Sequence, residues 1–157
     1  MDDAAILQKL SDEGLELPPT PQPLAAYIPV VVSGTMAVVS GQVPMRNGEL
    51  IASGKVGQEV TVEEGAAAAR QAALQSLAAL RSTLGSFDRL VRIVQVTVYV
   101  AATSDFIEHP QVANGASDLL GKILGVDGQH ARAAVGVISL PLGASVEVAM
   151  IAEIIPA

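Results

Sequence analysis

The run ARAAVGVISLPLGASVEVAMIAEI, residues 131–154, decides how this chain is read. Small and β-branched residues alternate on either side of Pro141-Leu142-Gly143, which predicts two strands around a turn. With the turn at Pro141 to Ala144, Leu140 faces Ser145, Ile138 pairs with Glu147, Gly136 with Ala149, Ala134 with Ile151 and Arg132 with Glu153. That register puts Arg132 and Glu147 on one face with Ala134, Gly136, Ala149 and Ile151. It leaves Val135, Val137, Val146, Val148 and Met150 for helices to cover. Arg132 and Glu147 then stand on the order of 20 Å apart within one chain. An arginine fork suits a carboxylate bidentately, and a carboxylate orders or deprotonates water. The pair serves one small substrate only if Arg132 of one subunit meets Glu147 of another.

Upstream, RLVRIVQVTVYVAA at 89–102 alternates, with Val94, Val96, Val98 and Val100 on one face and Ile93, Gln95, Thr97 and Tyr99 on the other. Between these strands, Ser104 and Asp105 are expected to cap a helix that turns Leu119, Leu120, Ile123 and Leu124 inward. Gly125 follows its end, and Pro110 makes its first turn irregular. Thr61 and Glu64 form a capping-box pattern at the head of an Ala-rich helix reaching to about Gly85. Its stripe of Val62, Ala66, Ala69, Ala73, Leu77, Leu80 and Leu84 lets it lie close to a sheet. From Ile28, IPVVVSG and TMAVVSGQVP read as two strands of a hairpin, and NGEL at 47–50 marks another turn. Residues 2–13 predict a short helix stopped by Gly14. Pro18, Pro19, Pro21 and Pro23 then make an extended strap. The order ββ, helix, strand, helix, ββ is an α+β domain with two main helices on one face of a sheet.

Half of the 157 residues are hydrophobic, but only 3% are aromatic, so the apolar content is Ala, Val, Leu and Ile. That much apolar surface favours a homo-oligomer that covers one sheet face. A net charge of -7 repels phosphate backbones and anionic lipid, so neither nucleic acid nor membrane is the expected partner. There is no cysteine, and His109 and His130 stand alone, which disfavours disulfides, thiol chemistry and a metal site. The acidic start with Lys9 in its apolar patch lacks the layout of a signal peptide, and a cytoplasmic setting is expected.

SGQVP at 40–44, Gly54, TVEEGAAAARQAALQSLAAL, VTVYVAATSDF and R-x-x-V-x-V-x-x-L-P-x-x-x-x-V-E-V at 132–148 together resemble the RidA/YjgF family of reactive-intermediate deaminases. The resemblance runs in the family's order from about Tyr27 to Ile154. It implies a chorismate-mutase-like fold over residues 27–157, preceded at 1–26 by the helix and strap of a longer subgroup. It also implies a homotrimer with ligand sites between subunits, and hydrolysis of 2-imino or enamine acids to 2-oxo acids and ammonia without a cofactor. By position, Arg132 resembles the arginine that binds the substrate carboxylate and Glu147 the carboxylate that positions water. Tyr27, Ser40, Gly41 and Asn114 resemble ligand-contacting positions. Ala134 stands where many members have cysteine, so cysteine chemistry is absent.

Each residue also has a plainer reading. Arg132 would pair with Glu153 across the hairpin, Glu147 would be a solvated strand residue, and Tyr27 a packing aromatic. Asn114 would be a helix-surface polar residue, Ser40-Gly41 a strand terminus and His130 a loop residue. The rival function is a non-catalytic regulatory trimer that binds a small 2-oxo carboxylate through Arg132. An endoribonuclease, an activity attached to some relatives, is disfavoured by the acidic charge and the lack of a basic stripe.

Overall fold

The computed structural model describes residues 1–20 and 26–156. Pro21 and Pro23 of the strap lie outside the described residues. Helix α1, Asp3–Asp12, is capped by the Asp2 carboxylate, which accepts the Ala5 N–H at 3.0 Å. Gly14, at φ 67°, turns the chain away from it. Ile6 and Leu10 are buried in the same core as the main helices. Asp3 fixes the docking. Its carboxylate accepts Arg81 Nε and Nη2, both at 2.8 Å, and the Phe87 N–H at 2.8 Å. The Arg81 hydrogen bonds hold its carboxyl below the ordinary carboxylate value.

Strands β1, Val30–Ser33, and β2, Met36–Gln42, form the expected hairpin, with Ser33 opposite Met36. A small ribbon follows, β3, Met45–Arg46, and β4, Glu49–Leu50, turned by Asn47 and Gly48 at φ 53° and 84°. Strands β5, Leu90–Ala101, β6, Ala131–Val137, and β7, Val146–Ile154, complete the main sheet in the order β1-β2-β7-β5-β6.

This order corrects the hairpin read at 131–154. β6 and β7 do not pair with each other: β5 lies between them, parallel to β6 and antiparallel to β7. The physical reason is bulk. β5 carries Val96, Val98 and Val100 fully buried, so it takes a central place with both backbone edges paired, and Ala- and Gly-rich β6 takes the edge. Residues 138–145 step around the end of β5, where Ala101 N donates to Ser145 O and Ala102 N to Val137 O.

The faces change with the pairing. Arg132, Ala134 and Gly136 lie opposite Val96, Val98 and Val100 and share the helix-covered face, whereas Glu147 lies opposite Tyr99 on the open face. Val135 and Val137 join the open face, and only Val146, Val148 and Met150 of the expected set turn inward. Within β5, a register shift between Ile93 and Gln95 puts Ile93, not Val94, in the core with the later valines.

Both long helices cover the inner face. α2, Val62–Leu84, has the full capping box between Thr61 and Glu64 and ends at Gly85, at φ 84°. α3 spans His109–Leu124. Its N-cap is Glu108 without a side-chain cap, not Ser104 or Asp105, because Pro110 is tolerated only in the first helical turn. A Cβ on Gly115 would overlap the Ala66 carbonyl oxygen of α2, so the two helices touch backbone to side-chain-free backbone. Gly115→Ala is expected to lower stability by about 2 kcal/mol in urea unfolding, because rigid backbone must move. An unchanged midpoint would show that the helices separate freely.

Candidate functional site

The side chains that carry chemistry fall into two groups. The first sits where edge strand β6 meets α3. Arg132 Nη1 donates to Asn114 Oδ1 at 2.8 Å and to Ser117 Oγ at 3.2 Å. Asn114 and Ser117 are three residues apart, so one helix face presents both. Arg132 is exposed and pairs with no carboxylate among the described residues. The pairing with Glu153 is overturned, since the strand partners of Glu153 are Met36 and Arg92. Ala134 follows Arg132 on the same face, half-buried, and His109 packs edge-on against Phe106 beside Gly136.

His130 extends this group. Its Nδ1 lies 2.6 Å from the Gly128 carbonyl and its Nε2 3.1 Å from Ser117 Oγ. A carbonyl only accepts, so Nδ1 carries a proton toward Gly128.

The second group lies on the open face. Glu147 is half-buried, and burial raises its carboxyl pKa above the ordinary value. No hydrogen bond to another described residue holds its carboxylate. Its head rests over Gly41, where any Cβ would overlap it, so the glycine is what lets the carboxylate lie flat on β2. Gly41→Ala is therefore expected to displace a flexible side chain without unfolding the protein. Any activity that depends on Glu147 should fall about 10- to 100-fold, with little change in melting temperature.

Ser40 precedes this glycine, but its hydroxyl donates to Ile28 O at 2.9 Å and ties β2 to the segment before β1. Tyr27 is exposed and, with Gly41, lines a cavity of about 910 Å³. Strap residues Leu15 and Leu17 line it with Gln42, Arg46, and Gln71 and Gln75 of α2, so it opens beside the sheet edge on the helix side, and neither Glu147 nor Arg132 lines it. The three glutamines are buried, and Gln75 Oε1 has no partner among the described residues.

Arg132 and Glu147 are separated by two strand spacings and three residues along the sheet, roughly 14 Å between Cα atoms. That is shorter than the hairpin register implied, yet their side chains leave opposite faces. One protomer does not bring them together. No group of three or more metal-ligating side chains occurs among the described residues.

Residues 8–154 match the family model described as "YjgF/chorismate_mutase-like, putative endoribonuclease". The chain belongs to the YjgF family. It is 43% identical over 152 residues to protein TCP17 of Trypanosoma cruzi, covering 96% of this chain and 93% of that one. Among solved structures it resembles protein Atu1372 of Agrobacterium tumefaciens, at 39% identity and a TM-score of 0.92, covering 98% and 94% of the two chains. The YjgF gene product of E. coli gives 26% identity and a TM-score of 0.62, covering 85% of this chain and 92% of that one. The chorismate-mutase-like α+β fold expected from the sequence is thus the fold of this YjgF-family chain, with its short N-terminal helix in place. No helix among the described residues is long and apolar enough to cross a membrane.

Sequence reading missed two residues of the Arg132 group in this YjgF-family protein. Ser117 was legible, because its three-residue spacing from Asn114 shares a helix face. His130 was not. Its contact depends on the 3-10 turn Gly125–Gly128, which returns the chain toward α3.

Proposed function

We propose that this protein hydrolyses reactive 2-imino and enamine acids to 2-oxo acids and ammonia, in clefts between the subunits of a homotrimer. The observation that carries this reading is the state of Arg132. Its guanidinium is oriented by two neutral acceptors at an exposed sheet edge and has no carboxylate partner among the described residues. A buried-enough Glu147 on the uncovered face supports it, as do Val31, Val38 and Val135, exposed at 49%, 44% and 41% on that same face. A second copy of the sheet would cover those valines and bring a neighbour's arginine edge toward Glu147.

In this mechanism Arg132 grips the substrate carboxylate. Glu147 takes a proton from water as the water oxygen bonds to C2 of the iminium. Glu147 returns that proton to the amine nitrogen, and the C–N bond breaks as Glu147 takes the proton of the new hydroxyl. A 2-oxo acid and ammonia leave, the ammonia carrying that proton away as ammonium. A carboxyl with raised proton affinity is suited to that transfer.

The test generates 2-iminobutanoate in situ with an amino-acid oxidase and follows its decay with and without the protein. Faster decay supports the deaminase. Unchanged decay with saturable 2-oxobutanoate binding would replace it by the regulatory trimer. Salt-dependent RNA binding and cleavage would favour the endoribonuclease that the family description names, which the charge of -7 opposes.

A further inference from the structure

Arg132 is held by a chain of hydrogen bonds with a definite direction. His130 Nδ1 faces the Gly128 carbonyl, which selects the tautomer protonated at Nδ1, and in that tautomer Nε2 is an acceptor. Ser117 Oγ–H then donates to Nε2, and its oxygen lone pairs face Arg132 Nη1. The chain has a fixed origin. Gly128 is buried, and a Cβ there would overlap the Leu120 carbonyl oxygen, so the turn is pressed directly onto α3. With Asn114 Oδ1 as the second acceptor, both hydrogens of Nη1 are engaged. The Nε–H and Nη2–H edge has no partner among the described residues.

We infer that Ser117 and His130 are positioning residues that lock Arg132 so that a ligand carboxylate is received side-on, by the Nε and Nη2 hydrogens. This rests on the proposed role of Arg132 and adds which edge it uses and what holds it. A partial turn of the guanidinium about Nε–Cζ would swing the Nη hydrogens out of line with Nε–H and lose the alignment, which only a complete exchange of the equivalent Nη1 and Nη2 restores. The chain prevents that rotation by giving Nη1 two acceptors and orienting one of them through the imidazole. A carboxylate is bound in both ground and transition states, so loosening the arginine raises KM and leaves kcat nearly unchanged. Glu147 acts on water and lies outside this chain.

The experiment compares wild type, Ser117→Ala, Ser117→Thr, His130→Phe and the Ser117→Ala/His130→Phe double variant. Two readouts are taken: 2-oxobutanoate affinity with the KM and kcat for 2-iminobutanoate, and the guanidinium N–H signals of Arg132 in ligand-free protein by NMR. Ser117→Ala and His130→Phe should each weaken affinity and raise KM about 5- to 10-fold with kcat within twofold, and Ser117→Thr should restore the wild-type values. The double variant should be no worse than Ser117→Ala, because both break one chain. In the ligand-free protein, slow Nη exchange in wild type and Ser117→Thr should become fast in Ser117→Ala. Equal exchange in all variants, losses that multiply in the double variant, or a fall in kcat alone would overturn the inference. If wild type binds no 2-oxo acid, the proposed function fails, while the ligand-free exchange rates still decide whether the chain holds Arg132.

Discussion

Replacing Arg132 with alanine is expected to abolish measurable acceleration of 2-imino acid decay, a fall of about 100-fold or more in kcat/KM, while the protein stays folded. The magnitude follows from removing a bidentate, charge-assisted pair with a carboxylate. The fold should survive because Arg132 is exposed on the edge strand and its protein partners are Asn114 and Ser117 on one helix face. Loss of the cooperative unfolding transition would instead make Arg132 a structural arginine. Rates on 2-iminobutanoate, read beside a melting curve, separate the two results.

Replacing Glu147 with glutamine is expected to cost activity about 100- to 10,000-fold, the usual contribution of a general base, and to stabilise the protein at neutral pH. The sign follows from the raised carboxyl pKa, caused by burial. The folded chain holds that proton more tightly than the unfolded chain. Below the ordinary carboxylate value both states are protonated and no penalty exists. As pH rises through that value to the raised folded one, ionisation favours the unfolded chain and stability falls. Glu147→Gln should therefore melt higher than wild type near about pH 7.5 and match it near about pH 3. A lower melting point at neutral pH would mean that the carboxylate has a stabilising partner.

The local chemistry of this chain was legible in its sequence. The Thr61/Glu64 capping box, the Asn47-Gly48 turn and the glycine stops at Gly14 and Gly85 act over a few residues, and each stands where the pattern put it. The pairing of the last two strands was not legible. Proximity in sequence favoured a hairpin, but burial of β5 on both edges decided the sheet order, and that depends on competition among three strands. The same non-local choice reversed the face of Arg132 and the place of Val135 and Val137. Arg132 and Asn114 meet because parallel pairing with β5 brings β6 under α3, which no spacing along the chain records. The Glu147–Gly41 contact likewise depends on β2 and β7 being neighbours.

Within one chain Arg132 and Glu147 leave opposite faces of the sheet, so the proposed site joins them only across a subunit boundary, and mixed assemblies separate a shared site from two independent ones. Arg132→Ala and Glu147→Gln proteins, each inactive alone, are unfolded, combined in equal amounts and refolded. In randomly assembled rings one site in about four would pair an intact arginine with a neighbour's intact glutamate, so about a quarter of wild-type activity on 2-iminobutanoate should return. No recovered activity in a mixture shown to contain both chains in one assembly would contradict the shared site.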